Sequence, residues 1–197
     1  MSLVPWGIWA ASGGALFEDS YDLLATEILT SAQGSVTFAS LGDYASDYQH
    51  LQIRAVVRTD RTSASSDPVT LQFNGNTGTN YSRHGLVSYQ FGGSGGVVSN
   101  AASSQTSIFL SEAVNTNGAT ANSFGAIVGD ILDPFSSSKN TTVRALTGMN
   151  AAFSAVELRS GGFFNTASIY EIKLEPLVGS NFVTGSRFSL YGLKAGA

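Results

Sequence analysis

The sequence predicts an all-β fold, an antiparallel β-sandwich of jelly-roll type with about ten strands. Charged residues make up only 12% of the chain, and 22 glycines accompany many Ser, Thr and Asn residues. These residue types favour turns and strand faces and weaken helices. Short alternating segments follow one another with turn residues between them, and no amphipathic helix separates them, so parallel crossovers have nothing to be built from.

Three segments show the period of two that places one strand face in a core and the other in solvent. Their inward positions are predicted to be Leu51, Ile53, Ala55 and Val57; Val69, Leu71 and Phe73; and Tyr170, Ile172 and Leu174. Exposed strand residues such as Val56 and Tyr191 can face either a partner or a loop of the same chain.

Seven further segments are predicted as strands because they are rich in β-branched or alternating residues and are bounded by turn dipeptides such as Asp67-Pro68 and Asn117-Gly118. They are Leu23–Thr30, Ser35–Ser40, Ser107–Glu112, Ser123–Leu132, Thr141–Gly148, Ala155–Ser160 and Arg187–Leu193. Two Ser/Gly/Asn-rich stretches, Gly92–Gln105 and Asn115–Asn122, are predicted to be surface loops. Residues 18–197 are thus expected to form a single sandwich domain.

Charge and composition exclude several classes of function. The net charge is −4 and the pI about 5.0, and the ten Lys and Arg residues are scattered, so no basic field is present to hold nucleic acid. The chain has no cysteine, which removes disulfides and thiolate chemistry. No membrane span or signal peptide is predicted, because the apolar start has no basic flank and is interrupted by Pro5, Gly7, Gly13 and Gly14.

The first segment, Met1–Phe17, is predicted to be an apolar arm. It carries both tryptophans, Trp6 and Trp9, together with Leu16 and Phe17, and it has neither a helical nor a strand period. Indole rings are unfavourable to leave in water, so the arm is expected either to pack on its own sandwich or to dock on a neighbouring chain.

No catalytic residue, metal site or cofactor is predicted. Gly92, Ser94 and Gly96 satisfy the glycine-x-serine-x-glycine pattern, but a nucleophile elbow needs a strand before it and a helix after it, and this serine lies in a glycine-rich loop. The two histidines, His50 and His84, are isolated. The carboxylate clusters match no calcium-binding loop, and solvated turns are their expected role.

The segment Asn74–Tyr81 combines amides, hydroxyls and an aromatic ring. Asn74, Asn76, Asn80 and Tyr81 are therefore candidate ligand-binding residues for sugar or metal. The same segment also fits an ordinary long hairpin, because Asn74-Gly75 is a strong hairpin signal and follows a predicted strand.

Several segments together resemble a family of small virion proteins encoded by tailed bacteriophages. The resemblance covers roughly residues 21–194. It is carried by His50–Arg54, Arg58–Arg61, Gln72–Gly75, Thr77–Ser82, Asp130–Asp133, Lys139–Arg144 and, most distinctively, Asn181–Val183 with Gly185–Lys194. These motifs identify no catalytic group.

The resemblance implies a jelly-roll subunit on the exterior of a phage particle, either a capsid decoration protein or part of a head or tail fibre. Such proteins act as homo-oligomers, often trimers, and contact other virion proteins such as the major capsid protein. The protein would be made in the host cytoplasm. The arm is the least family-like part of the chain.

Three hypotheses follow in order of preference. The first is a non-enzymatic structural role in which the sandwich and the arm Met1–Phe17 mediate assembly, since a surface poor in charge has few groups whose desolvation opposes contact. The alternative is a receptor- or glycan-binding domain of a tail fibre, acting through Asn74–Tyr81 and Gly92–Asn100. An enzyme comes third.

Overall fold

The computed structural model describes residues 20–194, so the predicted arm with Trp6, Trp9, Leu16 and Phe17 lies outside the described residues. Within 20–194 the chain forms twelve β-strands and one single-turn 3₁₀ helix, Leu41–Tyr44, with no α-helix. The strands are β1 (Tyr21–Ile28), β2 (Val36–Phe38), β3 (His50–Thr59), β4 (Ser66–Phe73), β5 (Tyr81–Phe91), β6 (Ser94–Gln105), β7 (Ile108–Thr116), β8 (Gly125–Leu132), β9 (Thr141–Met149), β10 (Phe153–Phe163), β11 (Ile172–Pro176) and β12 (Arg187–Leu193).

The predicted all-β class is confirmed, and the strands form two layers consistent with a sandwich. The larger layer has the order β1-β12-β3-β8-β9-β10-β5-β6 and the smaller one β2-β11-β4-β7. Pairing between the described strands is antiparallel except at one place, where β3 and β7 run parallel over two residue pairs, Arg58 with Asn115 and Thr59 with Thr116. That short parallel contact joins the two layers at one end, so the twelve strands form a mixed sheet.

The core lies between the two layers, because one face of the larger sheet is covered by the smaller one. Strand β7 packs over β9 and β10. Phe163 on β10 lies between Phe73, with ring centroids 5.4 Å apart, and Tyr81, with centroids 4.8 Å apart. Fully buried side chains of the core include Leu51, Ile53, Phe73, Phe163 and Phe188 from the strands and Phe182 from the connection before β12.

All ten predicted strands are present, and the alternation in β3 and β4 identifies their core-facing residues correctly. The third clear pattern is shorter than predicted. Ile172 and Leu174 are fully buried, but Tyr170 precedes β11 and is 55% exposed, so its inward assignment is wrong.

Two strands were missed, β5 and β6, and the second of them occupies most of the predicted loop Gly92–Gln105. Gly92 and Gly93 both have positive φ angles (58° and 84°) and form the two-residue turn of a hairpin in which Phe91 pairs with Ser94. Strand β6 is at the edge of the larger sheet and pairs only with β5 among the described strands, so it can be built from small residues. The ring of Tyr89 lies beside Gly96 and covers the space a side chain would fill.

The predicted hairpin after Asn74 is wrong. Asn74 and Gly75 do form a tight turn with φ angles of 54° and 63°. However, β4 pairs with β7 and β11, whereas β5 pairs with β10 and β6. The segment 74–80 therefore carries the chain from the smaller sheet to the larger one.

Gly161 on β10 is a position where only glycine fits. A Cβ atom there would lie 2.6 Å from the Ile108 side chain and 2.8 Å from the Ser82 carbonyl oxygen. We expect Gly161→Ala to destabilise the fold by about 1–3 kcal/mol, because the backbone of β5 must move. Gly148→Ala on β9 is the matched control, since its nearest neighbour would be 3.9 Å away. Urea unfolding of both variants checks this, and equal midpoints would contradict it.

Candidate assembly surface

The candidate ligand-binding loop uses its polar groups within the protein. The Asn74 side-chain oxygen accepts hydrogen bonds from the backbone N–H groups of Tyr170 (2.9 Å) and Glu171 (3.1 Å), and its amide donates to the Ser168 carbonyl (2.9 Å). The Asn76 oxygen accepts from the N–H of Gly78 (2.9 Å). These bonds hold the loop in shape. Ligand binding by Asn74, Asn76 and Asn80 stays a prediction.

Tyr81 is fully buried, so its ring is not available to a ligand at the surface. Its hydroxyl accepts a hydrogen bond from the N–H of Phe73 (3.1 Å) and lies 3.0 Å from the Asn76 carbonyl oxygen, to which it donates. The residue therefore fastens the crossing loop to the core. Burial raises the pKa of this hydroxyl, which stays protonated and able to donate.

We expect Tyr81→Phe to lower the free energy of unfolding by about 1–2 kcal/mol, because a buried N–H and carbonyl lose their partner. Tyr170→Phe provides the comparison from the same region, since its hydroxyl is exposed and makes only a 3.4 Å contact with the Asn74 carbonyl. Guanidinium unfolding of the two variants measures the difference. An equally small effect in both would show that the buried hydroxyl contributes nothing.

A buried charge cluster lies between β10 and β6 of the larger sheet and β7 of the smaller one. The guanidinium of Arg159 donates from Nε to Glu157 Oε2 (2.9 Å) and from Nη1 to Asn100 (3.1 Å), and Nη2 contacts Glu112. The Arg159 and Glu157 side chains are 1% and 0% exposed. Burial raises the pKa of the Glu157 carboxyl and lowers that of Arg159. Each nitrogen of the Arg159 guanidinium has an acceptor in the cluster, so we interpret the cluster as part of the scaffold.

The outer face of the larger sheet, which points away from the smaller one, is unusually apolar. Period-two alternation should leave polar residues there, as in antiparallel sheets with one solvated face. Instead, aliphatic side chains occupy a band that we call the outer stripe. Seven of its members are between 40% and 66% exposed: Val56, Leu86, Val97, Val128, Leu146, Val156 and Leu158.

Strand register aligns these side chains into two adjacent rows. In the first row, Val128, Leu146, Leu158 and Leu86 are direct partners across β8, β9, β10 and β5. The second row runs from β3 to β6 through Val56, Ala126, Gly148, Val156, Ser88 and Val97. The outer stripe therefore extends across six strands with Ser88 as the one polar member of its two rows, and no described loop covers it.

Polar residues border the outer stripe along both sides. On one side, Asp130 accepts hydrogen bonds from Gln52 (2.7 Å) and Arg144 (2.7 Å). Burial by itself would raise the pKa of the Asp130 carboxyl, but the two hydrogen bonds outweigh this effect. The pKa of Asp130 therefore lies below its usual range. On the other side stand Ser154 and Gln90, which are paired across β10 and β5. An apolar centre with a polar border is the pattern of a protein–protein contact.

At the β3 end of the outer stripe, Arg54 stacks on two tyrosine rings. Its guanidinium carbon lies 5.1 Å from the centroid of Tyr191 and 5.7 Å from that of Tyr21. Aromatic and arginine side chains are enriched at protein interfaces. Val56 and Tyr191, the two residues that the sequence predicts to be exposed, both lie on this outer face, where Val56 is exposed and Tyr191 is half-buried.

The sequence contains a signal for the outer stripe. In all six of its strands apolar residues occur at adjacent positions and so on both faces: Ala55-Val56-Val57, Leu86-Val87, Val97-Val98, Ile127-Val128, Ala145-Leu146 and Ala155-Val156. Such strands are typical of sheets covered on both faces. The sequence does not predict that these residues align in rows, because their alignment depends on which strands are neighbours.

Within residues 20–194 there is no group of three or more His, Asp or Glu side chains placed to hold a metal ion. Ser94 begins β6, so the glycine-x-serine-x-glycine pattern is followed by a strand and not by the helix of a nucleophile elbow. No helix in this part of the chain is long and apolar enough to cross a membrane. The fold and surface together describe an all-β sandwich domain with one apolar outer face.

Comparison with known proteins adds little to this description. Neither the protein-family models nor the curated protein sequences searched give a match. Among solved structures, the alginate lyase vAL-1 from a Chlorella virus aligns over 94% of this chain and 96% of its own, at 7% identity and a TM-score of 0.22. The VP2 subviral particle of infectious bursal disease virus aligns over 88% of this chain and 37% of its own, at 11% identity and a TM-score of 0.11. At these scores neither comparison supports a shared fold or activity.

Proposed function

We propose that this chain is a non-enzymatic structural protein of a tailed bacteriophage, an exterior capsid decoration or fibre subunit that assembles with its own copies. The observation that carries this proposal is the outer stripe, a continuous apolar surface across six strands that the described chain leaves uncovered. The resemblance of segments such as Gly185–Lys194 to small phage virion proteins supports the location.

The energetics of the outer stripe favour association. Full burial of a valine or leucine side chain is worth about 1.5–3 kcal/mol, so covering the exposed halves of seven such side chains contributes roughly 5–10 kcal/mol. Association opposes this with about 4–15 kcal/mol of lost freedom and ordering. The outer stripe is thus large enough to hold subunits together when further contacts add to it.

The low charge of the protein points the same way. Only 12% of residues are charged, and between β8 and β5 the two rows of the outer stripe carry no charged side chain. Few charges therefore lose water when subunits meet. Asn74, Asn76 and Tyr81 use their polar groups to hold the segment 74–81 in place, so no observed contact favours a receptor-binding role for that loop.

Light scattering of the purified chain tests the proposal. We expect a discrete oligomer whose mass is an integer multiple of 20.5 kDa. A chain that remains monomeric at high concentration would overturn assembly with its own copies. Quantitative mass spectrometry of purified particles then tests the location, and absence of the chain from the particles would contradict a virion role.

A further inference from the structure

The outer stripe has the shape of a track for a single extended segment. It crosses five strand-to-strand steps from β3 to β6, about 24 Å at the usual strand spacing, and its two rows stand about 7 Å apart. Polar or charged residues lie immediately beyond it on both sides, including Asp130 and Arg144 on one and Ser154 and Gln90 on the other. A second sheet packed face to face would cover those residues as well, whereas one extended chain of about seven residues would cover the apolar rows alone.

The sequence contains a segment that matches this track. Residues 1–17 carry no charged side chain, and charges begin only at Glu18 and Asp19. The run Leu3–Trp9 is seven residues long. In an extended conformation Val4, Trp6 and Ile8 share one face, so this run can present an apolar face to the stripe over about 23 Å.

The direction of β1 indicates which copy receives the segment. Strand β1 lies at the edge of the larger sheet and enters at Tyr21, whereas the two rows of the outer stripe are level with Thr26 and Ile28 further along the strand. The chain before Tyr21 therefore joins the sheet at the end of β1 that is remote from the outer stripe of its own subunit. To cover that stripe it would have to turn back over the sheet. Seventeen extended residues reach up to about 60 Å, enough to arrive at another subunit without that reversal.

We propose that Leu3–Trp9 of one copy lies across the outer stripe of a neighbouring copy, so that the subunits are joined by their arms. This inference rests on the proposed function, because it requires copies that assemble. It names the occupant of the stripe and gives Trp6 a binding place.

Two complementary variants test the docking of the arm of one copy on the outer stripe of another. The first begins at Glu18, so it has a stripe but no arm; the second is Leu146→Asp in the full chain, so it has an arm but a charged stripe. Each alone should be monomeric. Mixed together they should form a one-to-one dimer, because the arm of the second can dock on the stripe of the first. Native mass spectrometry distinguishes this mixed dimer by the mass of the deleted arm.

Tryptophan fluorescence provides an independent reading. Both tryptophans of the chain are in the arm, so the chain beginning at Glu18 has none and only the arm of the second variant is observed. We expect its emission to shift to shorter wavelength on mixing, in proportion to the added acceptor. The matched control is an acceptor beginning at Glu18 that also carries Val156→Asp, and it should cause no shift.

The outcomes separate the two proposals. If the chain beginning at Glu18 assembles as the full chain does while Leu146→Asp does not, the stripe mediates assembly and the arm inference is overturned. If the mixture stays monomeric, docking of the arm on a neighbouring copy is overturned. If the emission of the dilute full chain is already shifted and does not change with concentration, docking on a neighbouring copy is likewise overturned and the arm covers its own sandwich. A full chain that is monomeric at every concentration overturns the proposed function itself.

Discussion

Replacing Leu146 by Asp is expected to abolish self-association of the full chain while leaving the fold intact. Leu146 is 57% exposed and stands in the middle of the first row of the outer stripe, between Val128 and Leu158. An ionised carboxylate at that place would lose its water on association and find no partner among aliphatic side chains. We expect a penalty of at least about 3 kcal/mol, roughly a 100-fold weaker association.

Thr142→Asp is the matched control, because Thr142 lies on the same face of the same strand β9 but outside the two apolar rows. Sedimentation velocity over a range of concentrations should show a monomer for Leu146→Asp and the wild-type oligomer for Thr142→Asp. Unchanged circular dichroism of both variants would exclude unfolding as the cause. Wild-type assembly by Leu146→Asp would remove the outer stripe as the assembly surface.

Replacing Arg159 by Met is expected to produce the largest loss of stability of any substitution considered for this protein. The change leaves the fully buried Glu157 carboxylate without its 2.9 Å counter-charge and releases Glu112 and Asn100 from their shared partner. Removing one member of a buried ion pair costs about 3–5 kcal/mol. Arg144→Met removes the same side chain from an exposed pair with Asp130 and should cost less than about 1 kcal/mol.

The pH dependence of this loss has a defined sign. Burial raises the pKa of the Glu157 carboxyl in the folded state, so folding favours its protonated form. As the pH rises above the pKa that this carboxyl has in the unfolded chain, its ionisation therefore lowers the free energy of unfolding. In Arg159→Met this penalty is unrelieved by a counter-charge. We therefore expect the destabilisation to be largest near pH 7 and to decrease toward pH 4.5, as followed by urea unfolding of both chains. A loss independent of pH over that interval would show that packing, not charge, explains it.

The amino-acid sequence by itself determined the class of fold and most of its strands. The alternation Leu51, Ile53, Ala55, Val57 identifies one strand face as buried because the side-chain period of a strand is two, and this local rule needs no knowledge of the partner strand. The same alternation located β4 and β11, and residue composition with turn dipeptides located the other seven predicted strands. It failed for β6, because glycine and serine are typical of loops, and the pairing with β5 that holds them in a strand is a tertiary contact.

Only the tertiary structure brings the exposed aliphatic residues of different strands together into one surface. Val128, Leu146, Leu158 and Leu86 are far apart in the chain, and each by itself is an ordinary exposed aliphatic residue. Only the strand order β8-β9-β10-β5 and its register bring them into one row. Similarly, Asn74 and Tyr81 have the chemistry of a ligand site in sequence, but Asn74 bonds to the neighbouring segment 168–171 and Tyr81 joins the loop to the core. Local periodicity fixes which face of a strand is buried, whereas a surface made of several strands exists only once those strands are paired.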